Sequence, residues 1–228
     1  MTPGGSKPYA GIDRRLARRD DPQDRSMATK KITAAELLAK LNADPEFVAR
    51  AADRERARLV MVEELSRAEA PVVSDLLAAG LGVESVWDLV NTGESYTAVL
   101  PILVDHLPRA YPAAIREGIA RALAVKESRP WWDTLTRFYR AETDQRVRGG
   151  LAAAIAASAT DDVLGELIDL VRQDNNGESR VILLSVLERS SNVLAGQVLQ
   201  ELTTDPLLGK QARISLRVNL RRKKANSR

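Results

Sequence analysis

The chain has 228 residues, of which 44% are hydrophobic and 29% charged, a composition typical of globular proteins. It contains no cysteine and a single histidine, His106, which excludes disulfides, thiolate nucleophiles, iron–sulfur clusters and two-histidine metal sites. The net charge of +3 is uneven, because residues 1–31 sum to +4, residues 207–228 to +8 and residues 32–206 to −9. An acidic body with basic ends confines any contact with nucleic-acid phosphate to the ends.

The N-terminal residues 1–30 have few apolar anchors and alternate arginine with aspartate, which predicts a disordered basic tail. Neither an export signal nor a membrane span is expected. The longest weakly polar run, residues 149–159, is far shorter than the roughly 18 residues that a span needs. We therefore expect a cytoplasmic protein without membrane contact, and Met27 offers an alternative translation start.

The first predicted helices lie in residues 31–70. A capping box begins at Thr33 and predicts a short helix after it. The pair Asp44-Pro45 supplies an N-cap and a proline at the first helical position of a second helix, which continues without proline or glycine to about residue 67.

Residues 71–224 contain an internal repeat of 32 residues. Arg116, Arg148 and Arg180 recur at this interval, and Arg213 follows one residue late. Each arginine precedes two apolar residues on one helical face: Ile119 and Leu123, Leu151 and Ile155, Leu183 and Leu187, Leu216 and Leu220. A second set keeps the same interval: Leu103, Leu135, Leu167 and Leu199.

Each repeat is therefore predicted to contain two helices. Turn and cap residues place the starts of the first helices after Pro112, Asp144, Ser179 and Pro206, and those of the second helices after Pro130, Asp161 and Asn192. A single pair cannot bury its apolar face, so the pairs should stack into a curved solenoid. The expected fold is all-α with extra N-terminal helices, and residues 225–228 form a C-terminal tail.

The segment 144–155, with its Val147-Arg148 pair and small or aliphatic residues at every third or fourth position, continues into segment 161–168. Together they resemble a HEAT repeat of the kind found in phycobilisome-lyase-like proteins. The resemblance covers about residues 96–224, is weaker over 71–95, and extends to bacterial HEAT-repeat proteins of unassigned role. It implies a right-handed α-α superhelix. It does not imply one function, because such arrays serve as scaffolds, adaptors, lyase chaperones and, in one branch, DNA glycosylases.

Several conspicuous residues have a structural interpretation. The recurring arginines could form a ligand-binding ladder, but HEAT-like arrays commonly use this position to tie one inter-helix turn to the next, with Asp144 as the candidate acidic partner. His106 aligns with the apolar Phe138 and Leu170, which favours a packed histidine over a catalytic one. The acidic pair Asp161-Asp162 is best explained as an N-cap.

The second helices are expected to line the concave surface of the solenoid. The solvent-facing row on these helices is predicted to consist of Asp105, Arg137, Asp169 and Glu201. Tyr139, Arg140 and Arg172 are predicted to flank this row. The row is mostly negative and combines no nucleophile, base and orienting group, which favours recognition over catalysis. We predict a non-enzymatic scaffold or adaptor for a protein partner of basic character, without catalytic residues, metal ions or cofactors, and leave its oligomeric state open.

Two other functions remain open at this point. A nucleic-acid-binding array, including the DNA glycosylase branch, needs a continuous basic groove that the acidic body does not offer, so nucleic acid could be reached only through the basic tails. A lyase-like helper for a pigment or cofactor would lack a cysteine or a second histidine to hold its ligand.

Overall fold

The computed structural model describes residues 32–226, which are mostly helical and contain no β-strand, so the all-α prediction is confirmed for them. This part of the chain has eleven α-helices: α1 (Ala34–Asn42), α2 (Pro45–Ala78), α3 (Val86–Asn91), α4 (Leu100–His106), α5 (Ala113–Ala122), α6 (Trp132–Ala141), α7 (Gln145–Ser158), α8 (Leu164–Arg172), α9 (Arg180–Arg189), α10 (Val193–Glu201) and α11 (Gly209–Asn226). The predicted tail at 1–30 lies outside the described residues. The chain divides into two units, of which the first ends at Arg54 and the second begins at Glu55.

The first unit contains the two predicted helix starts. The Glu36 backbone N–H donates to Thr33 Oγ1 over 3.2 Å, and the Glu36 carboxylate accepts from the Thr33 backbone N–H over 2.9 Å, which completes the capping box. Asp44 Oδ1 accepts from the backbone N–H of Glu46 over 3.0 Å, directly before α2. Both starts are confirmed, because each cap satisfies a backbone N–H that has no partner inside its helix.

The predicted end of α2 near residue 67 is wrong. The helix continues through Pro71 to Ala78, so the expected boundary between residues 70 and 71 falls inside a helix. A proline in a helix interior costs about 3 kcal/mol, because it has no N–H and its ring crowds the preceding turn. Val72 and Leu76 lie just beyond it and are fully buried. Burying two such side chains contributes about 1.5–3 kcal/mol each, which offsets the cost.

A buried carboxylate connects the C-terminal part of α2 to the start of α3. Glu69 is 8% exposed, and its Oε1 accepts hydrogen bonds from the Val86 backbone N–H at 2.8 Å and from Ser85 Oγ at 2.9 Å. The carboxylate thereby satisfies a free N–H group at a helix N-terminus, where negative charge is favoured.

The remaining helices of the second unit pack in consecutive order. Helices α3, α5, α7, α9 and α11 each contact the next in this series, while α4, α6, α8 and α10 pack against α5, α7, α9 and the α9–α11 pair, respectively. The positions 32 residues apart are buried in each pair, with exposures of 0–1%: Leu103, Ile119, Leu135, Leu151, Leu167, Leu183 and Leu199. Except in the last helix, both apolar sets found in the sequence therefore lie in the core.

Two glycines 32 residues apart allow close packing of the helices in this series. A Cβ on Gly118 would lie 2.6 Å from Val86 Cγ2 of α3. A Cβ on Gly150 would lie 3.0 Å from the Cβ of Ala120 and 3.1 Å from the carbonyl oxygen of Glu117, both in α5. The α5–α7 contact therefore leaves no room for a side chain at Gly150.

The predicted register of the last helix is wrong. Leu220, which was expected in the core, is 50% exposed, and Leu216 is only partly buried. The interval between α9 and α11 is 32 residues, without the one-residue shift that Arg213 suggested. Ser215 and Asn219 therefore occupy the positions of Leu183 and Leu187, and both are buried. The sequence alignment followed the apolar residues and so missed two polar core positions.

The bounds of α11 also differ from the prediction. The helix begins at Gly209, because Asp205 first caps a turn by accepting from the backbone N–H groups of Leu207 and Leu208 at 2.8 and 2.7 Å. It continues through Asn226, so the start of the predicted tail at residues 225–228 is helical, whereas residues 227–228 lie outside the described residues.

Candidate functional site

Helices α4, α6, α8 and α10 each present one exposed side chain at the same place. Each of these side chains follows a fully buried leucine by two residues, which places it about 200° around the helix from the core. The four, which we call the exposed row, are Asp105, Arg137, Asp169 and Glu201. The predicted row is thus solvent-accessible along its length.

Ion pairs neutralise much of the charge along the exposed row. Arg140 donates to Glu166 on the next second helix over 2.7 Å, and Arg172 donates to Glu201 over the same distance. Asp105 accepts from Arg109 one turn later. The sequence suggested a mostly negative surface, but both acids at the ends of the row are paired with an arginine.

Arg137 and Asp169 are the two row members without an ion pair to another described residue. The Arg137 guanidinium lies over the ring of its neighbour Phe138, 5.5 Å from the ring centroid, and its side chain is exposed. Asp169 lies one turn before Arg172, whose pKa is raised mainly by its hydrogen bond to Glu201 and, to a smaller extent, by the Asp169 charge. The centre of the row therefore offers one cation and one anion on adjacent second helices.

Glu166 anchors the contact between α6 and α8. Its carboxylate accepts the indole N–H of Trp132 at 2.6 Å and the Arg140 guanidinium at 2.7 Å. Desolvation raises the pKa of this carboxyl, but the hydrogen bonds from Trp132 and Arg140, the charge of Arg140 and a smaller contribution from Thr136 together outweigh it, so the pKa lies below its ordinary value. Trp132 is 6% exposed and belongs to the core.

Tyr139 does not belong to the exposed row. Its side chain is fully buried, and its hydroxyl forms a 2.8 Å hydrogen bond with Ser179 Oγ. Burial raises the pKa of the Tyr139 phenol. The expectation that Tyr139 flanks a partner surface is wrong because it lies four residues after Leu135 and so on the same helical face as that core residue. Arg140, one residue further on, is exposed as predicted.

The first recurring arginine has a different partner from the predicted one. Both terminal nitrogens of Arg116 donate to the carboxylate of Glu142, at 2.9 and 3.1 Å. Asp144 instead caps α7, and the backbone N–H groups of Val147 and Arg146 lower its pKa. The sequence assigned the tie to Asp144 because capping and pairing aspartates look alike in a sequence.

The next two arginines bind the turns between successive helices. Arg148 donates to the carbonyl oxygen of Asn175 over 2.9 Å and also to that of Glu142. Arg180 donates to Asp174 over 2.8 Å and lies 3.5 Å from Asp205. Since the terminal nitrogens of Arg148 and Nη1 of Arg180 donate to groups of the chain itself, the arginine series supports a structural role and not a ligand-binding ladder.

The acidic pair Asp161-Asp162 also connects neighbouring turns. Asp162 accepts from Arg129 over 2.9 Å, and Asp161 accepts from Ser190 Oγ over 2.6 Å, so the pair reaches one segment before it and one after it. Neither aspartate makes a side-chain cap to the helical segments that begin here, which makes the predicted N-cap role wrong.

His106 is packed in the core, as predicted. It is fully buried, its Nε2–H donates to Asp75 Oδ2 over 2.9 Å, and its Nδ1 accepts the hydroxyl proton of Tyr111 over 2.6 Å. An ionised carboxylate can only accept, so in the neutral imidazole Nε2 carries the proton and Nδ1 accepts. The three side chains connect the end of α2 with α4 and the segment before α5.

A cavity of about 520 Å³ opens near this histidine, and Tyr111, Arg116, Phe138 and Glu142 contribute to its lining. Its charged lining residues already have partners, because Arg116 and Glu142 form the ion pair described above and Arg109 is paired with Asp105. The cavity therefore offers a bound molecule mainly the partly buried ring of Phe138 and neighbouring apolar atoms.

Comparison of the chain with family models, curated protein sequences and solved structures found no match in any of the three. Within residues 32–226, no group of three metal-ligating side chains comes together. Among the helices of the same region, none combines the length and the apolar character that crossing a bilayer requires.

The basic residues of the last helix form a surface that was not among the site residues predicted from the sequence. Residues 210–224 lie in α11, so their cations are held at fixed positions on a packed helix. The spacing of lysine and arginine at every third or fourth residue was the signal that could have revealed this face.

Proposed function

We propose that this protein is a non-enzymatic scaffold or adaptor that binds a protein partner along the exposed row, and that its helix pairs form a right-handed α-α superhelix of the HEAT type. The observation that carries the proposal is the exposed row itself. Four successive second helices each hold one accessible polar side chain two residues beyond a fully buried leucine. A repeated, rigid and polar surface of this kind suits recognition of an extended partner.

The charge of the row favours a protein partner over a nucleic acid. Carboxylates occur on three of the four helices at row positions and would repel phosphate along its length. The sequence suggested a basic partner, but the ion pairs of Asp105 and Glu201 leave Arg137 and Asp169 as the charges that a partner must match. We therefore propose a partner surface that presents an acidic and a basic side chain to this pair.

Site-specific photo-crosslinking in the cell of origin tests the proposal. A photoreactive amino acid is placed at Arg137 or at Asp169, with the exposed Glu94 as the control position, and the adducts are identified by mass spectrometry. We expect the same protein to be crosslinked from both row positions and not from Glu94.

A charge swap provides the second arm. The double variant Arg137→Glu/Asp169→Arg leaves the net charge unchanged and should reduce recovery of that partner at least tenfold, which corresponds to about 1.4 kcal/mol. Adducts of equal yield at all three positions, or unchanged recovery with the swapped pair, would remove the exposed row as the binding surface.

A further inference from the structure

The last helix, α11, has one face made almost entirely of cations. It contains no acidic residue, and five of its basic residues recur at intervals of three or four. At about 100° per residue they fall within roughly 80° of the helix circumference, and at 1.5 Å per residue they extend over about 21 Å. We call this set the basic stripe: Lys210, Arg213, Arg217, Arg221 and Lys224.

The packing of α11 directs the basic stripe away from the core. Ala212, Ser215 and Asn219 are buried on the opposite side of the helix, which packs against α9 and α10. All five members of the stripe are exposed. Two exposed apolar side chains, Ile214 and Leu220, lie at its edges.

The stripe cations have few partners, unlike Arg140 and Arg172 beside the exposed row, each of which is paired with a glutamate. Within the described part of the chain, Lys210, Arg217, Arg221 and Lys224 form no ion pair, whereas Arg213 donates to the carbonyl oxygen of Thr203 over 2.6 Å. Like charges without counter-charges repel one another, so an anionic ligand gains from every contact along the stripe.

A second observation shows how concentrated the positive charge is at this end of the chain. Burial lowers the pKa of Arg189 on the neighbouring α9, and the nearby charge of Arg222 lowers it further. Arg222 itself is exposed on α11, adjacent in sequence to Arg221. A cation of α11 is therefore close enough to α9 to act on Arg189, which adds to the positive charge at this end of the described chain.

We propose that the basic stripe binds the sugar–phosphate backbone of double-stranded DNA without sequence preference. A line of cations on a rigid helix matches the regular line of phosphates, and three of the five are arginines, which can bind phosphate oxygens in a bidentate manner. The stripe contains no aromatic side chain on which unpaired bases could stack, so a duplex is favoured over a single strand. The acidic body between residues 32 and 206 repels DNA only at short range, because charges are screened within about 8 Å at physiological salt.

The proposal is tested by fluorescence anisotropy with the full-length chain and a fluorescein-labelled duplex of about 20 base pairs and arbitrary sequence. If three to five cations contact phosphate, a plot of log K against log salt should have a slope of about −3 to −4.5. The double variant Arg217→Glu/Arg221→Glu should bind at least tenfold more weakly at about 50 mM salt, with a shallower slope. The variant Arg217→Lys/Arg221→Lys should stay within about threefold of the wild type, because it retains both charges.

A matched control separates the stripe from a general effect of net charge. The double variant Lys40→Glu/Arg54→Glu changes the net charge by the same amount as Arg217→Glu/Arg221→Glu, but at two exposed positions of the first unit. It should weaken duplex binding less than twofold. Circular dichroism and urea midpoints show whether each variant is folded. The proposal is overturned if the stripe variant Arg217→Glu/Arg221→Glu and the control variant Lys40→Glu/Arg54→Glu lose the same DNA affinity. It is also overturned if duplex binding is independent of salt or absent at low salt, or if a single strand or a polyglutamate peptide binds more tightly than the duplex.

Discussion

Replacing Asn219 with alanine should destabilise the protein more than replacing the adjacent Leu220 with alanine. Asn219 is 1% exposed, and its Nδ2 lies 3.0, 3.1 and 2.8 Å from the carbonyl oxygens of Leu187, Glu188 and Ser190. The first two carbonyls lie in the last turn of α9 and the third belongs to Ser190 directly after it, so none of them has a partner inside that helix. One amide nitrogen has two protons, so the three contacts amount to about two hydrogen bonds, worth about 2 kcal/mol, and unsatisfied buried carbonyls raise the loss to about 2–3 kcal/mol.

The assay is urea unfolding followed by tryptophan fluorescence, with Asn219→Ala and Leu220→Ala compared at equal concentration. Leu220→Ala should change the free energy of unfolding by less than about 0.5 kcal/mol, because that side chain is 50% exposed. Both variants should retain the m-value of the wild type, so that the midpoint alone reports stability. A larger loss at Leu220 than at Asn219 would refute the 32-residue register of α11.

Two further predictions concern α7 and α8. Gly149→Ala and Gly150→Ala raise the helix propensity of α7 equally, but they differ in the space available. A Cβ at Gly150 would lie 3.0 Å from the Cβ of Ala120, whereas a Cβ at Gly149 would have no neighbouring atom closer than 4.0 Å. Gly149→Ala should stabilise the protein by up to about 1 kcal/mol, and Gly150→Ala should destabilise it by about 1–3 kcal/mol. Urea midpoints measure both changes, and equal effects of the two variants would contradict the close α5–α7 contact. Because the pKa of Glu166 is lowered in the folded chain, its ionised form contributes stability above the unfolded pKa that is lost as the pH falls through the folded value. The stability difference between wild type and Glu166→Gln should therefore narrow from pH 7 to pH 3.5, and a constant difference would exclude an ionic role for Glu166.

The surface of the second helices was predictable only in part. Spacing from the core leucines correctly placed Asp105, Arg137, Asp169 and Glu201 in solvent, since a helix has a fixed angle per residue. The same rule, applied to Tyr139, would have placed it in the core. The inter-helix ion pairs were not predictable, because Arg140 and Glu166 are 26 residues apart and meet only when α6 and α8 pack.

The sequence by itself determined the helical class, the 32-residue interval and most helix starts, because each of these depends on local spacing and on caps such as Asp44 and Asn192 that act within a few residues. Only the tertiary structure decided which polar residues enter the core and which acid meets each arginine. Asn219 is buried because the carbonyl groups at the end of α9 need a donor, and Glu142 binds Arg116 because two turns lie side by side. Such pairings satisfy groups far apart in the chain, so no local pattern records them.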